Sequence, residues 1–296
     1  MVQSILVTGA TGTVGSEVIK QLLSKNSNNT NIQIKAAVHS LKKEKKLAED
    51  NRVKLVEIDY TKPTTIQEAC KDVDRLFLLT PFQSNMVELS SNLVNEAKKN
   101  GSIKHIVKLS VMGADAEPGI TGGRLHKQAE KIIEDSGISY TFLRPNFFMQ
   151  NFVNFFSQTI KEQGSFYIPA DNGKVSFVDV RDIASVAVET LANDSKHNRK
   201  SYNITGPEAI SYAQAAEILS KEVGREIKYQ NIPEEQARQG MKAAGMDEWL
   251  INSMSELFSI IRAGYASDVS PAVEEVTGKK PISFSQFAKD YSSFFK

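Results

Sequence analysis

The sequence predicts an α/β protein, with a doubly wound parallel Rossmann sheet and a smaller, mostly helical substrate-binding lobe at the C-terminus. Three observations carry that reading. An apolar run, Ser4-Ile5-Leu6-Val7, leads into a glycine turn and then a helix-like segment, Ser16 to Leu23. Strand-like and helix-like segments then alternate as far as Leu143, the rhythm of parallel strands joined by right-handed crossovers. After Pro145 the rhythm gives way to aromatic-rich, mostly helical sequence.

The glycine turn is Thr8-Gly9-Ala10-Thr11-Gly12-Thr13-Val14-Gly15. Gly9 can take a backbone angle closed to residues with a Cβ. Gly12 lets the main chain come close to a pyrophosphate, and Gly15 lets the helix pack tightly on the strand. Free amides at the helix start, with the positive end of its dipole, then face the anion. Strand, turn and helix in this order separate a dinucleotide site from a ligand-free tight turn. The expected contacts are Gly9, Thr11, Gly12, Thr13, Val14 and Gly15.

The elements follow in order. Ser24 to Asn31 is a polar loop, Ile32 to Val38 the second strand, and Lys42 to Asp50 a lysine-rich surface helix. Val53 to Ile58 is the third strand, and Pro63 suits the first turn of the helix within Thr61 to Cys70. Arg75 to Leu79 is a continuous apolar strand, as a sheet covered on both faces requires. Asn85 to Asn100 is a helix stopped by Gly101, and His105 to Leu109 the fifth strand. Leu125 to Ser136 is a helix closed by Gly137, and Ser139 to Leu143 the sixth strand. Asn146 to Lys161 reads as one helix carrying Phe147, Phe148, Phe152, Phe155 and Phe156. Phe166 to Phe177 reads as a hairpin turning at Asp171-Asn172-Gly173. A helix at Val180 to Leu191, a strand at Lys200 to Ile204 and a short strand at Glu226 to Tyr229 complete the pattern, the rest being mostly helical from Tyr212. The expected division is residues 1–145 as the nucleotide-binding domain, with 174–206 returning to it, and 146–296 as the substrate lobe, over the strand C-terminal ends.

Composition narrows the function. At 296 residues one or two domains are expected. Lys plus Arg is 36 and Asp plus Glu is 35, a balance that offers no footprint for nucleic acid or an anionic membrane. The single cysteine, Cys70, cannot form an internal disulfide and reads as a core thiol. Neither a signal core nor a membrane-spanning run is evident, so a cytoplasmic protein is expected. His39, His105, His126 and His197 show no ligand spacing, so no metal is expected.

An NAD site usually carries an acidic residue at the end of the second strand. Here Ala37-Val38-His39-Ser40-Leu41-Lys42-Lys43 holds no carboxylate before Glu44. His39, Ser40, Lys42 and Lys43 can donate to a 2′-phosphate, which favours NADP(H) over NAD(H); the alternative is a solvated basic face.

The spacing of Gly9, Gly12 and Gly15 resembles the short-chain dehydrogenase/reductase superfamily. Further motifs narrow this. They are Ile58-Asp59-Tyr60, Leu78-Leu79-Thr80-Pro81, Lys108-Leu109-Ser110, the run from Tyr140 through Arg144-Pro145-Asn146-Phe147-Phe148 to Phe152, Phe177 to Ala184, and Tyr202 to Pro207. Together they resemble the NmrA-like family of atypical short-chain dehydrogenases over nearly the whole chain. That family includes NAD(P)H:quinone reductases, dye reductases, clavine-type dehydrogenases and NADP-sensing regulators. Many relatives have arginine where His39 stands.

The resemblance implies site roles. Asp59 and Tyr60 lie at the adenine, although Asp59 can equally cap a turn. Leu79, Thr80, Pro81 and Phe82 pass the nicotinamide-side ribose. Ser110 ends the fifth strand where an active-site polar group is usual. Pro145, Asn146 and Phe147 lie beside the nicotinamide, and Phe148 and Asn151 contact substrate. Ordinary short-chain dehydrogenases carry Tyr-x-x-x-Lys on the helix before strand six; here Gly122 and His126 occupy those positions. His126 can bind ribose or relay a proton. The expected activity is hydride transfer from NAD(P)H to a quinone-like or other conjugated small molecule, by a monomer or homodimer. The alternative is an NADP(H)-sensing regulator without turnover. A nucleotide-sugar epimerase is a weaker third reading, since those enzymes need the tyrosine.

Overall fold

In the computed structural model, residues 3–25, 32–41 and 49–296 are described. In chain order they form β1 (Gln3–Val7), α1 (Thr13–Lys25), β2 (Ile32–Val38), β3 (Val53–Glu57), α2 (Pro63–Cys70), β4 (Arg75–Leu78), α3 (Met86–Asn100), β5 (His105–Leu109), α4 (Thr121–Ser136) and β6 (Ser139–Pro145). A π-helix (Phe152–Phe156) precedes α5 (Ser157–Gln163), β7 (Ser165–Ile168), β8 (Lys174–Val175), α6 (Val180–Ala192), α7 (Asp194–His197), β9 (Lys200–Ile204) and β10 (Ile210–Ser211). Then come α8 (Tyr212–Val223), β11 (Lys228–Asn231), α9 (Glu234–Ala243), α10 (Glu248–Arg262), α11 (Ala272–Thr277) and α12 (Phe284–Asp290). No helix among the described residues is long and apolar enough to cross a membrane.

The chain divides into two compact units. Unit 1 is Met1–Asp115, Gly123–Arg144 and Ile183–Tyr202; unit 2 is Ala116–Gly122, Pro145–Asp182 and Asn203–Lys296. The main sheet has the order β3-β2-β1-β4-β5-β6-β9. Its first five pairings are parallel, with Val7 opposite Ala36 on one side and Phe77 on the other. The Rossmann expectation holds. Strand order reverses between β1 and β4, and open α/β sheets bind ligands at such a switch point. Leu6, Leu76, Leu78, Ile106 and Phe142 pack under α2, α3 and α4 through Ile66, Leu93 and Ile133. Pro63 begins α2, and Gly101, at φ 72°, ends α3 by donating its N–H to Ala97 O.

Unit 2 is built round Phe152. Its ring lies 5.0–5.6 Å from those of Phe284, Phe177, Phe166 and Phe156. Two expectations fail here. Phe166 to Phe177 is not a hairpin: β7 pairs in parallel with β11, and β8 pairs antiparallel with β10. Each half finds a partner distant in sequence, although Asp171 and Asn172 still turn and Asp171 has φ 49°. Nor is Asn146 to Lys161 one helix. Phe148 bridges Val178 in extended form, and a π-helical turn separates it from α5. That segment spends its backbone hydrogen bonds on Val178, since Met149 N donates to Val178 O and Val178 N to Phe147 O. Phe152 and Phe166 therefore fill a core, whereas Phe155 is two-thirds exposed.

Candidate active site

The glycine turn begins where Thr8 ends β1. Thr8 N donates to Phe77 O, its hydroxyl donates to Leu79 O at 2.9 Å, and Leu79 N donates back to that hydroxyl at 2.8 Å. This clamp joins the ends of β1 and β4. Gly9 has φ +64°, and a Cβ there would stand 2.8 Å from Leu79 Cδ2. Gly12 N donates to Gly9 O, tightening the turn. Gly15 carries the closest approach: its Cβ would lie 2.1 Å from Gly9 O. The helix start thus packs on the turn's own carbonyl, while Thr11, Gly12 and Thr13 stay exposed and Val14 turns inward. An exposed helix N-terminus with nothing but hydrogen at Gly12 suits a phosphate anion.

The ends of the next strands flank this turn. At the end of β2 His39 is exposed and Ser40 half-buried. Lys42 and Lys43, with most of the lysine-rich segment, lie outside the described residues. Asp59 accepts from Thr61 N and Oγ1 and pairs with Lys62 Nζ at 2.9 Å. Thr61 and then Lys62 hold its carboxyl far below the usual carboxylate range. Tyr60 donates to Leu79 O at 3.1 Å, and burial pushes its hydroxyl up to about 12. Thr80 is buried and shares a hydrogen bond with Ser90, whereas Pro81 and Phe82 are exposed.

Beyond β5 lies a buried polar cluster. Ser110 is almost wholly buried; its N donates to Leu143 O and its hydroxyl to Glu130 Oε1 at 2.7 Å. Glu130 also receives Arg144 Nε at 2.9 Å and NH2 at 2.7 Å. Arg144 NH1 reaches Asp115 at 2.7 Å. The Ser110 hydroxyl proton is therefore committed, and only its lone pairs remain for a ligand. His126, half-buried on α4, has Nδ1 3.5 Å from Nζ of Lys108, which is wholly buried on β5 and also donates to Leu109 O. Burial lowers Lys108 to about 8, against the pull of Glu130. Burial first, and the Lys108 charge second, hold His126 well below its ordinary value.

In unit 2, Pro145 closes β6 and the buried Asn146 donates to Ser176 Oγ at 2.6 Å and Ala266 O at 2.8 Å, while its Oδ1 accepts from Phe147 N. Its side chain knits three segments of that unit. Phe147, Phe148 and Asn151 are half-buried. An open groove of about 620 Å³ in unit 2 runs along α10, with Ile120, Glu234, Arg238 and Tyr265 among its walls. It does not include Phe148 or Asn151.

Sequence reasoning passed over Thr8, Lys108, Glu130 and Arg144 as functional groups. For Lys108 the signal was present: a charge inside the apolar run Ile106 to Leu109 of a central strand must be buried.

A glycine turn at the switch point of a parallel sheet defines a Rossmann-type nucleotide-binding fold. The chain belongs to the NmrA-like family, whose model matches residues 1–288. The NAD(P)H azoreductase of Xenophilus azovorans is 37% identical over 291 residues, 98% of this chain and 99% of the relative. The NADPH-dependent quinone oxidoreductase of Escherichia coli, solved with NADPH, aligns at a TM-score of 0.84 and 27% identity over 97% of this chain and 99% of its own. The triphenylmethane reductase of Citrobacter sp., complexed with NADP(H), gives 0.82 and 27% over the same shares.

Proposed function

We propose that this oxidoreductase reduces a quinone-like, azo or other conjugated small molecule, using NADP(H) in preference to NAD(H). The observation that carries the reading is the Gly9–Gly15 turn, with Thr11 to Thr13 exposed at the start of α1. When bound, the nicotinamide supplies a hydride. The residues divide the remaining work. Amides of Thr11, Gly12 and Thr13 take the pyrophosphate. His39 and Ser40, with Lys42, take the 2′-phosphate, and Asp59 and Tyr60 border the adenine. Leu79 to Phe82 take the nicotinamide-side ribose, and His126 donates to it or to the acceptor. Pro145, Asn146 and Phe147 are carried over as nicotinamide neighbours, and Phe148 and Asn151 as acceptor contacts, from the family resemblance.

With Gly122 where the usual tyrosine stands, acceptors that need little acid assistance fit best. The names of the relatives, an azoreductase, a quinone oxidoreductase and a triphenylmethane reductase, fall in that class. The test is titration with NADPH and NADH, followed by nicotinamide fluorescence, with menadione and an azo dye then added. Tight NADPH binding with steady oxidation is expected. Tight binding without oxidation by either acceptor overturns the reductase reading in favour of an NADP-sensing regulator. Binding of neither nucleotide overturns the site itself.

A further inference from the structure

His126 and Lys108 form a pair that neither the glycine turn nor the family motifs assign. Lys108 extends from β5 and His126 from α4, and the two meet at 3.5 Å between Nζ and Nδ1. A lysine ammonium carries donors only. The imidazole nitrogen that faces it must present a lone pair, so the ring proton resides on Nε2. A second ring proton would place two cations 3.5 Å apart, one of them on a wholly buried lysine. The surrounding charges do not relieve that conflict. Glu130, on the same helix as His126, gives its oxygens to Arg144 and Ser110, with Lys127 Nζ at 3.7 Å; Asp115 is held by Arg144.

We propose that Lys108 is a positioning residue that locks His126 as its neutral Nε2–H tautomer, and that the pair replaces the absent tyrosine as proton source. The step balances. The Nε2–H bond breaks as the reduced acceptor gains that proton, and Nδ1 takes a proton from Lys108 Nζ; the pair resets when Nδ1 returns that proton to the amine as Nε2 takes one from solvent. The directions of both groups agree with it, since Lys108 keeps its proton to about 8 while His126 stays neutral far below that. The catalytic consequence rests on the proposed function; the tautomer does not.

The test is nitrogen NMR of protein labelled at histidine, from about pH 5.5 to about pH 7.5, where Lys108 keeps its charge, with His126 assigned by His126→Gln. A bare Nδ1 and protonated Nε2 throughout are expected in the unsubstituted protein. Lys108→Met should return the ring to a titration nearer its ordinary value of about 6.5, with mixed tautomers, and Lys108→Arg should keep the Nε2–H form. An Nδ1–H ring in the unsubstituted protein, or an unchanged ring in Lys108→Met, overturns the proposal. The first of these needs no variant to fold. In turnover with menadione, Lys108→Met should lose kcat on the order of a hundredfold with KM for NADPH within about twofold. An altered tautomer with unaltered kcat upholds the lock and overturns the relay.

Discussion

The carbonyl oxygen of Gly9 stands 2.1 Å from the position a Cβ on Gly15 would take. Backbone, not a pliable side chain, blocks the site. Gly15→Ala must therefore push α1 away from the turn, at a cost of about 1–3 kcal/mol. Gly12 is different, because its Cβ would meet only Gly9 O, at 3.3 Å. Gly12→Val is expected to keep the melting temperature close to that of the unsubstituted protein yet weaken NADPH binding at least about tenfold. Thermal unfolding and fluorescence titration of both variants check the contrast. Equal loss of stability in the two would refute it.

Glu130 is wholly buried and leans on Arg144 through two hydrogen bonds. Arg144→Met leaves that carboxylate without its main partner and should cost about 3–5 kcal/mol. Ser110→Ala removes one donor from it and should cost about 1–3 kcal/mol, with kcat for the folded fraction reduced less than about tenfold. Urea unfolding together with menadione kinetics separates the two roles. A Ser110→Ala variant of undiminished stability and much reduced kcat would place the hydroxyl in the chemistry instead.

Much of this molecule is readable along the chain, and the unreadable parts share a cause. β2 and β5 fall at their expected bounds because apolar, strand-forming residues dominate each and polar residues follow them. Gly101 and Gly137 end α3 and α4 in the left-handed conformation, at φ 72° and 79°. α4 opens at Thr121, ahead of the expected Leu125, even though Thr121, Gly122 and Gly123 carry weak helix propensity. Local signals cannot show that Ser165 pairs with Lys228 or that Phe148 bridges Val178. The same holds for the site. The glycine turn is contiguous, whereas Lys108 meets His126 only once β5 and α4 are packed.

Asp182 supplies a pH dependence. It is buried, and burial raises its carboxyl to about 6 although Ile282 N–H donates to it. The folded protein then holds a proton that the unfolded chain releases near 3.8. Its contribution to stability is full below about pH 4 and lost as pH rises through about 6, on the order of 2–3 kcal/mol. Asp182→Asn should flatten that fall, since an amide oxygen still accepts from Ile282. Urea unfolding from pH ~4 to pH ~7 measures it, and an unchanged slope would exclude Asp182 as the source.

His39 stands exposed at the end of β2, where an acidic side chain would hold ribose hydroxyls. His39→Asp should repel a 2′-phosphate and lower the ratio of NADPH to NADH affinity by about tenfold. Paired titrations report the ratio directly. No change would move the 2′-phosphate contact to Ser40 or Lys42.

The interleaving of the two units bears on how the protein can be made. The chain passes between them at five points, after residues 115, 122, 144, 182 and 202. On a ribosome unit 1 stays incomplete until Tyr202 has emerged, because α6 from Ile183 onward and the start of β9 belong to it. A gene cut after Pro145 would encode a sheet lacking its last strand, β9. Neither unit exists as a continuous fragment that could be inherited, swapped or fused alone, so recombination that trades unit 2 against a new one must exchange several separated pieces at once.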